Sequence, residues 1–310
     1  MKAILITEAG SVDNLFPGDI EQPVAKENDV LVEVKAISIN PVDIKVRRDE
    51  TRMSKMFGEE RPIILGWDIA GTVAAVGGSV TRFKKGDRVF GMVNFPGRGQ
   101  AYAEFVAANE NHLAKMPGNV SYEEAAASTL AALTTLQALQ GGVKKGDRVL
   151  IHAGSGGVGH FAIQIAKQLG AYVITTTSAK NRDFVLSMGA DEHVDYKTQK
   201  FEDVVSDVDF VLDPYGGDVL DNSIKVLNDG GSIVSLAARV FPEELLEQRK
   251  INAAYMMVHS NGEDMQSLAG WLESEIVKAH VSKTFPFSEM KQAHLAIETG
   301  RTVGKVVVTV

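Results

Sequence analysis

The most informative segment of the chain reads His152-Ala153-Gly154-Ser155-Gly156-Gly157-Val158-Gly159. Its glycines at 154, 156 and 159 form the pattern G-x-G-x-x-G. The residues before it, Arg148 to Ala153, predict a strand. The apolar residues from Val158 to Leu169 recur at helical spacing, and Gly170 ends the predicted helix. A glycine loop between a strand and a helix is the setting in which this pattern binds the pyrophosphate of a dinucleotide.

Each glycine of this pattern has a physical role in such a loop. Gly154 permits a tight turn, Gly156 lets a pyrophosphate approach the backbone, and Gly159 allows close packing of the helix on the strand. The helix N-terminus offers N–H groups and a partial positive charge to the phosphates. We therefore predict that the phosphates are held by five consecutive residues, Gly154, Ser155, Gly156, Gly157 and Val158.

Two other loop motifs do not fit these residues. A P-loop needs Lys and then Ser or Thr after its last glycine, but His160 and Phe161 follow Gly159. A nucleophile elbow centred on Ser155 needs glycine at position 153, which is Ala153. A glycine-rich turn without a ligand remains the alternative.

The end of the next predicted strand indicates which dinucleotide binds. An NAD site has Asp or Glu about 20 residues after the first glycine. The segment from Thr175 to Arg182, which lies at this distance from Gly154, contains no Asp or Glu. The hydroxyls of Thr176 and Ser178 and the cations of Lys180 and Arg182 suit the 2′-phosphate of NADPH. The alternative for the two cations is a solvated face of the following helix.

From about residue 121 onward, strands alternate with helices. Ser121 and Glu124 predict a capping box at the start of an alanine-rich helix that runs to Leu139. Further strands are predicted at 172–177, 193–196, 208–213, 232–236 and 253–258, with helical segments between them. Repeated β-α units predict an α/β fold of the Rossmann type, a doubly wound parallel sheet with helices on both faces.

The first 120 or so residues have a different pattern of apolar runs and turns. Short apolar runs at Val30 to Ile37, Ile69 to Val76 and Arg88 to Val93 are separated by Gly, Pro and charged turns, which predicts an irregular β-rich domain. The chain ends with a helix predicted from Ser288 and a strand from Lys305 to Val310. The pattern alone does not say which domain these last elements join.

Composition excludes several classes of protein. A chain of 310 residues suggests about two domains. The absence of cysteine excludes disulfides, thiolate metal sites and a cysteine nucleophile. A net charge of -8 without a basic block argues against a nucleic-acid partner. No apolar run approaches the ~20 residues of a membrane span, and no signal-peptide pattern begins the chain, so we expect a cytoplasmic location.

Several short stretches, in order along the chain, carry a family signature. They are Asn40-Pro41-Val42-Asp43, Gly66-Trp67-Asp68-Ile69-Ala70-Gly71, Lys85-Gly86-Asp87-Arg88-Val89, Ala101-Tyr102-Ala103-Glu104, the glycine loop, Gly189-Ala190-Asp191 and Gly304-Lys305-Val306-Val307. Together they resemble the zinc-independent quinone oxidoreductase branch of the medium-chain dehydrogenase/reductase superfamily over essentially the whole length.

The resemblance implies a domain plan and an activity. A GroES-like catalytic domain, residues 1–119 and 272–310, would surround an inserted NADP-binding Rossmann domain, residues 120–271. The implied activity is NADPH-dependent reduction of quinones or α,β-unsaturated carbonyls, and the implied assembly is a homodimer. The zinc alcohol dehydrogenases of the superfamily carry Gly-His-Glu where this chain has Gly66-Trp67-Asp68, and its seven histidines lack ligand spacing, so we predict no zinc.

The resemblance also implies further site residues. Tyr196 would lie near the adenosine 2′-phosphate, Thr134 would face the nicotinamide, Leu236 and Ala237 would lie beside it, and Lys305 would lie near the cofactor cleft. Each of three has a structural alternative: a strand-end aromatic for Tyr196, a helix hydroxyl bonded to its own backbone for Thr134, and a surface ion pair for Lys305.

Two residues are the candidates for catalysis. Without zinc, hydrogen-bond donors must stabilise the charge that develops on the substrate oxygen, and we predict Lys45 and Asn40 in this role. Lys45 stands where the alkenal and enone reductases of the family also have lysine, which favours an activated alkene as substrate. The alternatives are a solvated lysine and a residue that shapes the turn before Pro41. A nucleotide-binding sensor of the same fold with little activity is the second functional hypothesis.

Overall fold

The chain divides into two compact units in the computed structural model, which describes residues 1–310. The first, here called the β-rich unit, consists of Met1–Leu133 and Val258–Val310. The second, the parallel-sheet unit, consists of Thr134–Met257. Both breaks lie inside the range 120–271 that was predicted for the inserted domain.

The β-rich unit contains ten strands, five complete helices and the start of a sixth helix that continues into the other unit. Its strands are β1 (Lys2–Ile6), β2 (Phe16–Asp19), β3 (Asp29–Ile39), β4 (Ile63–Ile64), β5 (Asp68–Val76), β6 (Arg88–Met92), β7 (Phe105–Asn109), β8 (Ala114–Lys115), β15 (Val281–Pro286) and β16 (Lys305–Thr309). Its helices are α1 (Pro41–Arg48), α2 (Glu50–Phe57), α3 (Tyr122–Ala127), the start of α4 (Leu130–Leu139), α10 (Gly262–Glu273) and α11 (Met290–Glu298), so α4 is shared.

The strands of this unit form two sheets. One is a small antiparallel sheet in the order β2-β1-β4, and the other has the order β15-β16-β3-β5-β6-β8, with β7 paired to β3. The terminal strand β16 runs antiparallel to β3, so the end of the chain returns to the domain in which it begins. Helix α3 packs on β3 and β5, and α10 packs on β8, which is why both helices belong to this unit.

Helices α1 and α2 were not predicted from the sequence. The side chain of Asp43 accepts the backbone N–H of Asn40 at 2.6 Å, and Pro41 stands at the first helical position, where its missing N–H costs nothing. Asp49 starts α2 by accepting the N–H of Arg52 at 3.1 Å. These caps were readable signals, but each helix is only eight residues long and carries mostly polar and charged side chains.

The parallel-sheet unit has six strands and five complete helices. The strands are β9 (Arg148–Ile151), β10 (Tyr172–Thr177), β11 (Glu192–Asp195), β12 (Val208–Asp213), β13 (Leu227–Ser235) and β14 (Asn252–Tyr255). The helices are α5 (Gly159–Gln168), α6 (Arg182–Ser187), α7 (Phe201–Val204), α8 (Asp218–Val226) and α9 (Glu243–Arg249), preceded by the remainder of α4.

All neighbouring strands of this sheet are parallel, in the order β11-β10-β9-β12-β13-β14. This is the strand order of the Rossmann fold, and the predicted doubly wound sheet is confirmed. The strand order reverses between β9 and β12. Ligands of such sheets bind at the carboxyl ends of the strands at this reversal, so the loops that follow β9 and its neighbours define where to look for the site.

The alanine-rich segment forms two helices instead of the single predicted one. The capping box of Ser121 and Glu124 is present at the start of α3. The helix then stops because the hydroxyl of Thr129 bonds the carbonyl of Ala126 at 2.7 Å, and the buried carboxylate of Asp68 accepts the N–H of Leu130 at 3.1 Å. Asp68 therefore begins α4, a long-range contact that periodicity does not reveal.

Candidate functional site

The glycine loop joins β9 to the N-terminus of α5. The backbone N–H groups of Ser155, Gly157, Val158 and Gly159 make no hydrogen bond within the protein. Unpaired N–H groups at a helix N-terminus form an anion site, because they combine donors with the positive end of the helix dipole. The loop therefore has the donors that the sequence predicted for a pyrophosphate.

The glycines of the loop are required for close packing. A Cβ at position 154 would lie 1.9 Å from the hydroxyl oxygen of Thr175, and one at position 159 would lie 2.2 Å from the carbonyl oxygen of Ala153. The residue of this turn with a positive φ is Ala153, at 54°, and Gly154 contributes the absence of a side chain where the loop passes Thr175. A Cβ at Gly156 would meet only the oxygen of Ala153, at 3.2 Å, which leaves its outer side open.

The threonine hydroxyls at the end of β10 are occupied inside the protein. Thr176 bonds Nδ1 of the buried His152 at 3.0 Å, and the other nitrogen of that ring bonds Ser223 at 2.9 Å. Thr175 and Thr177 are likewise engaged. The structure therefore does not support Thr176 as a donor to a phosphate, because its side chain holds His152 in place.

The remaining predicted phosphate partners are available. The hydroxyl of Ser178 has no hydrogen-bond partner, Lys180 is exposed without one, and Arg182 is exposed with only a distant carboxylate, Asp183, at 3.8 Å. Tyr196 is 59% exposed beside them along the same edge, and its N–H bonds the carbonyl of Thr177 at 3.1 Å.

A contact that the sequence did not indicate joins this segment to the glycine loop. The side-chain amide of Asn181 donates to the hydroxyl of Ser155 at 2.9 Å. The loop that would hold the pyrophosphate and the segment that would hold the 2′-phosphate are thereby fixed to each other.

Thr134 carries a buried hydroxyl with no partner. Its side chain is 5% exposed and Oγ1 makes no hydrogen bond, so the alternative of a hydroxyl bonded to its own helix is wrong. A buried polar group without a partner is costly, which makes Thr134 a place where a ligand would supply the missing hydrogen bond. The unpaired loop N–H groups, Ser178 and Thr134 together fit a dinucleotide with a 2′-phosphate.

The β-rich unit contains a buried polar network around Asn40. Its side-chain amide donates to Asp68 at 2.6 Å, and its side-chain oxygen accepts from the ammonium of Lys305. Lys305 also donates to the carbonyl of Ile39 at 3.2 Å and is 3% exposed. The two side chains therefore satisfy each other inside the protein, which leaves Asn40 engaged by Asp68 and Lys305. The surface ion pair that was the alternative for Lys305 is wrong, because its ammonium is buried.

Burial changes the ionisation of this network. Burial raises the pKa of Asp43 to about 7, although the N–H of Asn40 and the charge of Lys305 oppose the shift. Burial likewise lowers the pKa of Lys305, against the attraction of Asp68 and Asp43. Both shifts favour the uncharged form of the group, as burial in a low-dielectric interior does.

A second buried pair lies in the same unit and was missed by the sequence reasoning. The hydroxyl of Tyr102 bonds Nε2 of His294 at 2.9 Å, and the two rings pack edge to face. Burial, with the charge of Arg47, lowers the pKa of His294 to about 3, so the ring is neutral.

Lys45 differs from its neighbours on α1. Its side chain is exposed and makes no hydrogen bond or ion pair, whereas Asp43 and Arg47 on the same helix are buried. Its ammonium is therefore free to meet a substrate. The protein contains no group of three or more His, Asp or Glu side chains that could hold a metal ion.

Comparisons with known proteins bear on both units. Residues 26–118 match the family described as alcohol dehydrogenase GroES-like domain, and residues 188–308 match the family described as zinc-binding dehydrogenase. A 2-methylene-furan-3-one reductase of Solanum lycopersicum is 36% identical over 99% of this chain and 79% of its own length.

Two further similarities indicate the same family. An NADPH-dependent alkenal/one oxidoreductase of Arabidopsis thaliana is 34% identical over 99% of this chain and 79% of its own length. A quinone oxidoreductase structure from Coxiella burnetii superposes with a TM-score of 0.92 at 36% identity, covering 100% of this chain and 99% of that one. The chain therefore belongs to the quinone oxidoreductase and alkenal/one oxidoreductase branch of the medium-chain dehydrogenase/reductase superfamily.

Proposed function

We propose that this chain uses NADPH to reduce the activated double bond of an α,β-unsaturated carbonyl, or a quinone. The observation that carries the proposal is the glycine loop, whose unpaired N–H groups lie next to a strand end that has Ser178, Lys180 and Arg182 where an NAD site has a carboxylate. The names of the two relatives above describe reductases of conjugated carbonyls, which favours an enzyme over a nucleotide-binding sensor.

Different residues of this chain bind different parts of NADPH. The N–H groups of the glycine loop hold the pyrophosphate, and Ser178, Lys180, Arg182 and Tyr196 surround the 2′-phosphate. Thr134, Leu236 and Ala237 meet the nicotinamide end. When bound, NADPH supplies the hydride that the substrate carbon accepts.

Lys45 stabilises the substrate during reduction. Negative charge grows on the conjugated oxygen as the β-carbon of the double bond accepts hydride, and an ammonium group next to that oxygen lowers the energy of the enolate. The exposed side chain of Lys45 has no competing partner inside the protein. Water then protonates the enolate.

We also propose that the reduction proceeds without zinc. Cysteine is absent, position 67 is tryptophan, and Asp68 is engaged by Asn40 and the N-terminus of α4. None of the helices is long and apolar enough to cross a membrane. A cytoplasmic location, a homodimer and the absence of a nucleic-acid partner remain predictions from the sequence and the family.

Binding and turnover test the proposed function together. Fluorescence titration is expected to give NADPH at least ~10-fold tighter binding than NADH, because ~1.4 kcal/mol is modest for charged contacts to one phosphate. NADPH oxidation with a panel of enones and quinones is expected to proceed equally after exhaustive chelation. The control Lys144→Ala, an exposed lysine before β9, should keep the preference that Lys180→Ala reduces. Equal affinity for the two nucleotides, or no turnover with any member of the panel, would contradict the proposal.

A further inference from the structure

A buried carboxylate lies at the carboxyl edge of the parallel sheet, outside the residues discussed so far. Asp213 is the last residue of β12 and is fully buried. Its side chain accepts the N–H of Tyr215 at 2.9 Å and that of Gly216 at 3.0 Å, so it fixes the loop that follows its own strand. It also accepts the hydroxyl of Ser235 at 2.7 Å.

Ser235, which Asp213 holds in place, in turn fixes the loop that follows β13. It is the last residue of β13, and its hydroxyl oxygen accepts the N–H groups of Ala237 at 3.3 Å and Ala238 at 2.9 Å. The N–H of Leu236 bonds the carbonyl of Asp213 at 2.8 Å. Three consecutive N–H groups after β13 are therefore held inward by two residues.

The direction of these N–H groups determines the direction of the carbonyls. A trans peptide holds its N–H and C=O on opposite sides, and the peptides here are trans. The inward N–H of Ala237 therefore points the carbonyl of Leu236 away from Ser235, and the N–H of Ala238 does the same for the carbonyl of Ala237. Neither carbonyl accepts a hydrogen bond within the protein.

The position of the pair on the sheet connects it to the cofactor. Strand β12 pairs with β9, which carries the glycine loop at the same edge, and the strand order reverses between these two strands. This reversal is where a dinucleotide binds in a doubly wound sheet. Two outward, unpaired carbonyls next to it are acceptors suited to an amide NH₂ group, and the nicotinamide end of a dinucleotide carries such a group.

We propose that Asp213 and Ser235 are positioning residues that hold the carbonyls of Leu236 and Ala237 ready to accept the carboxamide of the nicotinamide. This inference rests on the proposed function, because it takes the ligand to be NADPH. Asp213 is buried and does not touch the ligand; it acts through Ser235 and the backbone.

The experiment compares two ligands that share one end. NADPH carries the nicotinamide, whereas 2′,5′-ADP carries only the adenosine and phosphates. In Asp213→Asn, which replaces an acceptor oxygen by an NH₂ donor facing N–H groups, the Kd of NADPH is expected to rise about tenfold or more, equivalent to ~1.4 kcal/mol. The Kd of 2′,5′-ADP should stay within about twofold, because its contacts lie on other loops.

A matched variant controls for general damage to the sheet. Asp209 lies on the same strand, where it accepts the N–H of Arg148 at 2.9 Å and the side chain of Asn228 at 2.8 Å. Asp209→Asn should leave the ratio of the two Kd values unchanged. If Asp213→Asn does not fold, Ser235→Ala makes the same test with one hydroxyl removed. An unchanged ratio in a folded Asp213 or Ser235 variant would overturn the proposal.

Amide exchange in the protein without ligand separates this inference from the proposed function. The N–H groups of residues 237 and 238 should exchange slowly in the wild type and faster in Ser235→Ala, whatever the ligand is. If the wild type binds neither NADPH nor 2′,5′-ADP, the proposed function fails. If both ligands bind but the exchange rates of these amides are the same in the two proteins, the positioning role fails.

Discussion

Lys45 is the residue on which the catalytic proposal depends most directly. We expect Lys45→Met to lower kcat for an enone by about 10²-fold, the size of effect seen when one oxyanion donor is removed. Methionine keeps most of the apolar stem, so the change isolates the charge. Steady-state kinetics with saturating NADPH measure the effect, and fluorescence titration should show an unchanged affinity for NADPH.

The control for Lys45 is another exposed lysine in the same unit. Lys26 is exposed and its ammonium has no partner, so Lys26→Met removes the same charge from a surface without a proposed role. Wild-type turnover by Lys45→Met would mean that the substrate oxygen is held by the backbone or by the cofactor.

Single residues show where sequence reasoning succeeds and where it stops. The absence of a carboxylate after β10 is a property of the sequence itself and was predicted directly. The occupation of Thr176 by His152, and of Asn40 by Lys305, is decided by partners 24 and 265 residues away. A residue type indicates which chemistry is possible, but only the fold shows whether another side chain already uses it.

The glycine loop is the element whose two roles can be separated by substitution. A Cβ at Gly159 would lie 2.2 Å from the backbone oxygen of Ala153 and 2.7 Å from Cα of Gly154, and backbone atoms cannot yield cheaply. Gly159→Ala should therefore lower stability by about 1–3 kcal/mol, as overpacking does. Gly156→Ala meets that oxygen only at 3.2 Å, so the fold should survive while NADPH affinity falls about tenfold or more.

Thermal unfolding and NADPH titration of both variants measure this difference. Each variant is the control for the other, because the two glycines lie in the same loop. Normal NADPH binding by a folded Gly156→Ala would place the pyrophosphate elsewhere.

Elements with strong periodicity were predicted well. The bounds of β10 and β12 match the prediction, and Gly170 follows α5 with φ of 85°. The break between α3 and α4 was missed, because it comes from the long-range contact of Asp68 with Leu130. Helices α1 and α2 were missed because a short helix is indicated by its caps more than by its apolar pattern.

At the scale of the whole molecule, the return of the chain to its first domain was implied by the family resemblance and not by the pattern of residues. The pairing of β16 with β3 joins the end of the chain to this domain. Lys305, at the start of β16, then contacts Asn40, which directly follows β3. A non-local pairing of this kind leaves no periodic signal in either strand.

Buried titratable groups in both units make stability depend on pH in opposite directions. Burial lowers the pKa of His152 to about 4 and that of His294 to about 3, so the folded protein keeps both rings neutral. The unfolded chain protonates them below about 6.5. Their contribution is therefore present above that pH and is lost as the pH falls through the window from about 6.5 to 4. Asp43 acts oppositely: its raised pKa of about 7 keeps the folded carboxyl protonated, so its contribution is lost as the pH rises from about 4 to 7.

The pH dependence of urea unfolding between pH 5 and pH 6 tests these assignments by differences between variants, in which all other groups cancel. Each group changes the slope by up to one proton, or ~1.4 kcal/mol per pH unit. We expect His294→Asn to be less stable than the wild type at pH 7 yet to lose less stability on acidification, because the unfolded chain has one fewer proton to gain. Asp43→Asn should lose more, because the opposing group is gone. Parallel curves for the wild type and His294→Asn would mean that His294 can take up a proton inside the fold, and the neutral pair with Tyr102 would then be the wrong description of this core.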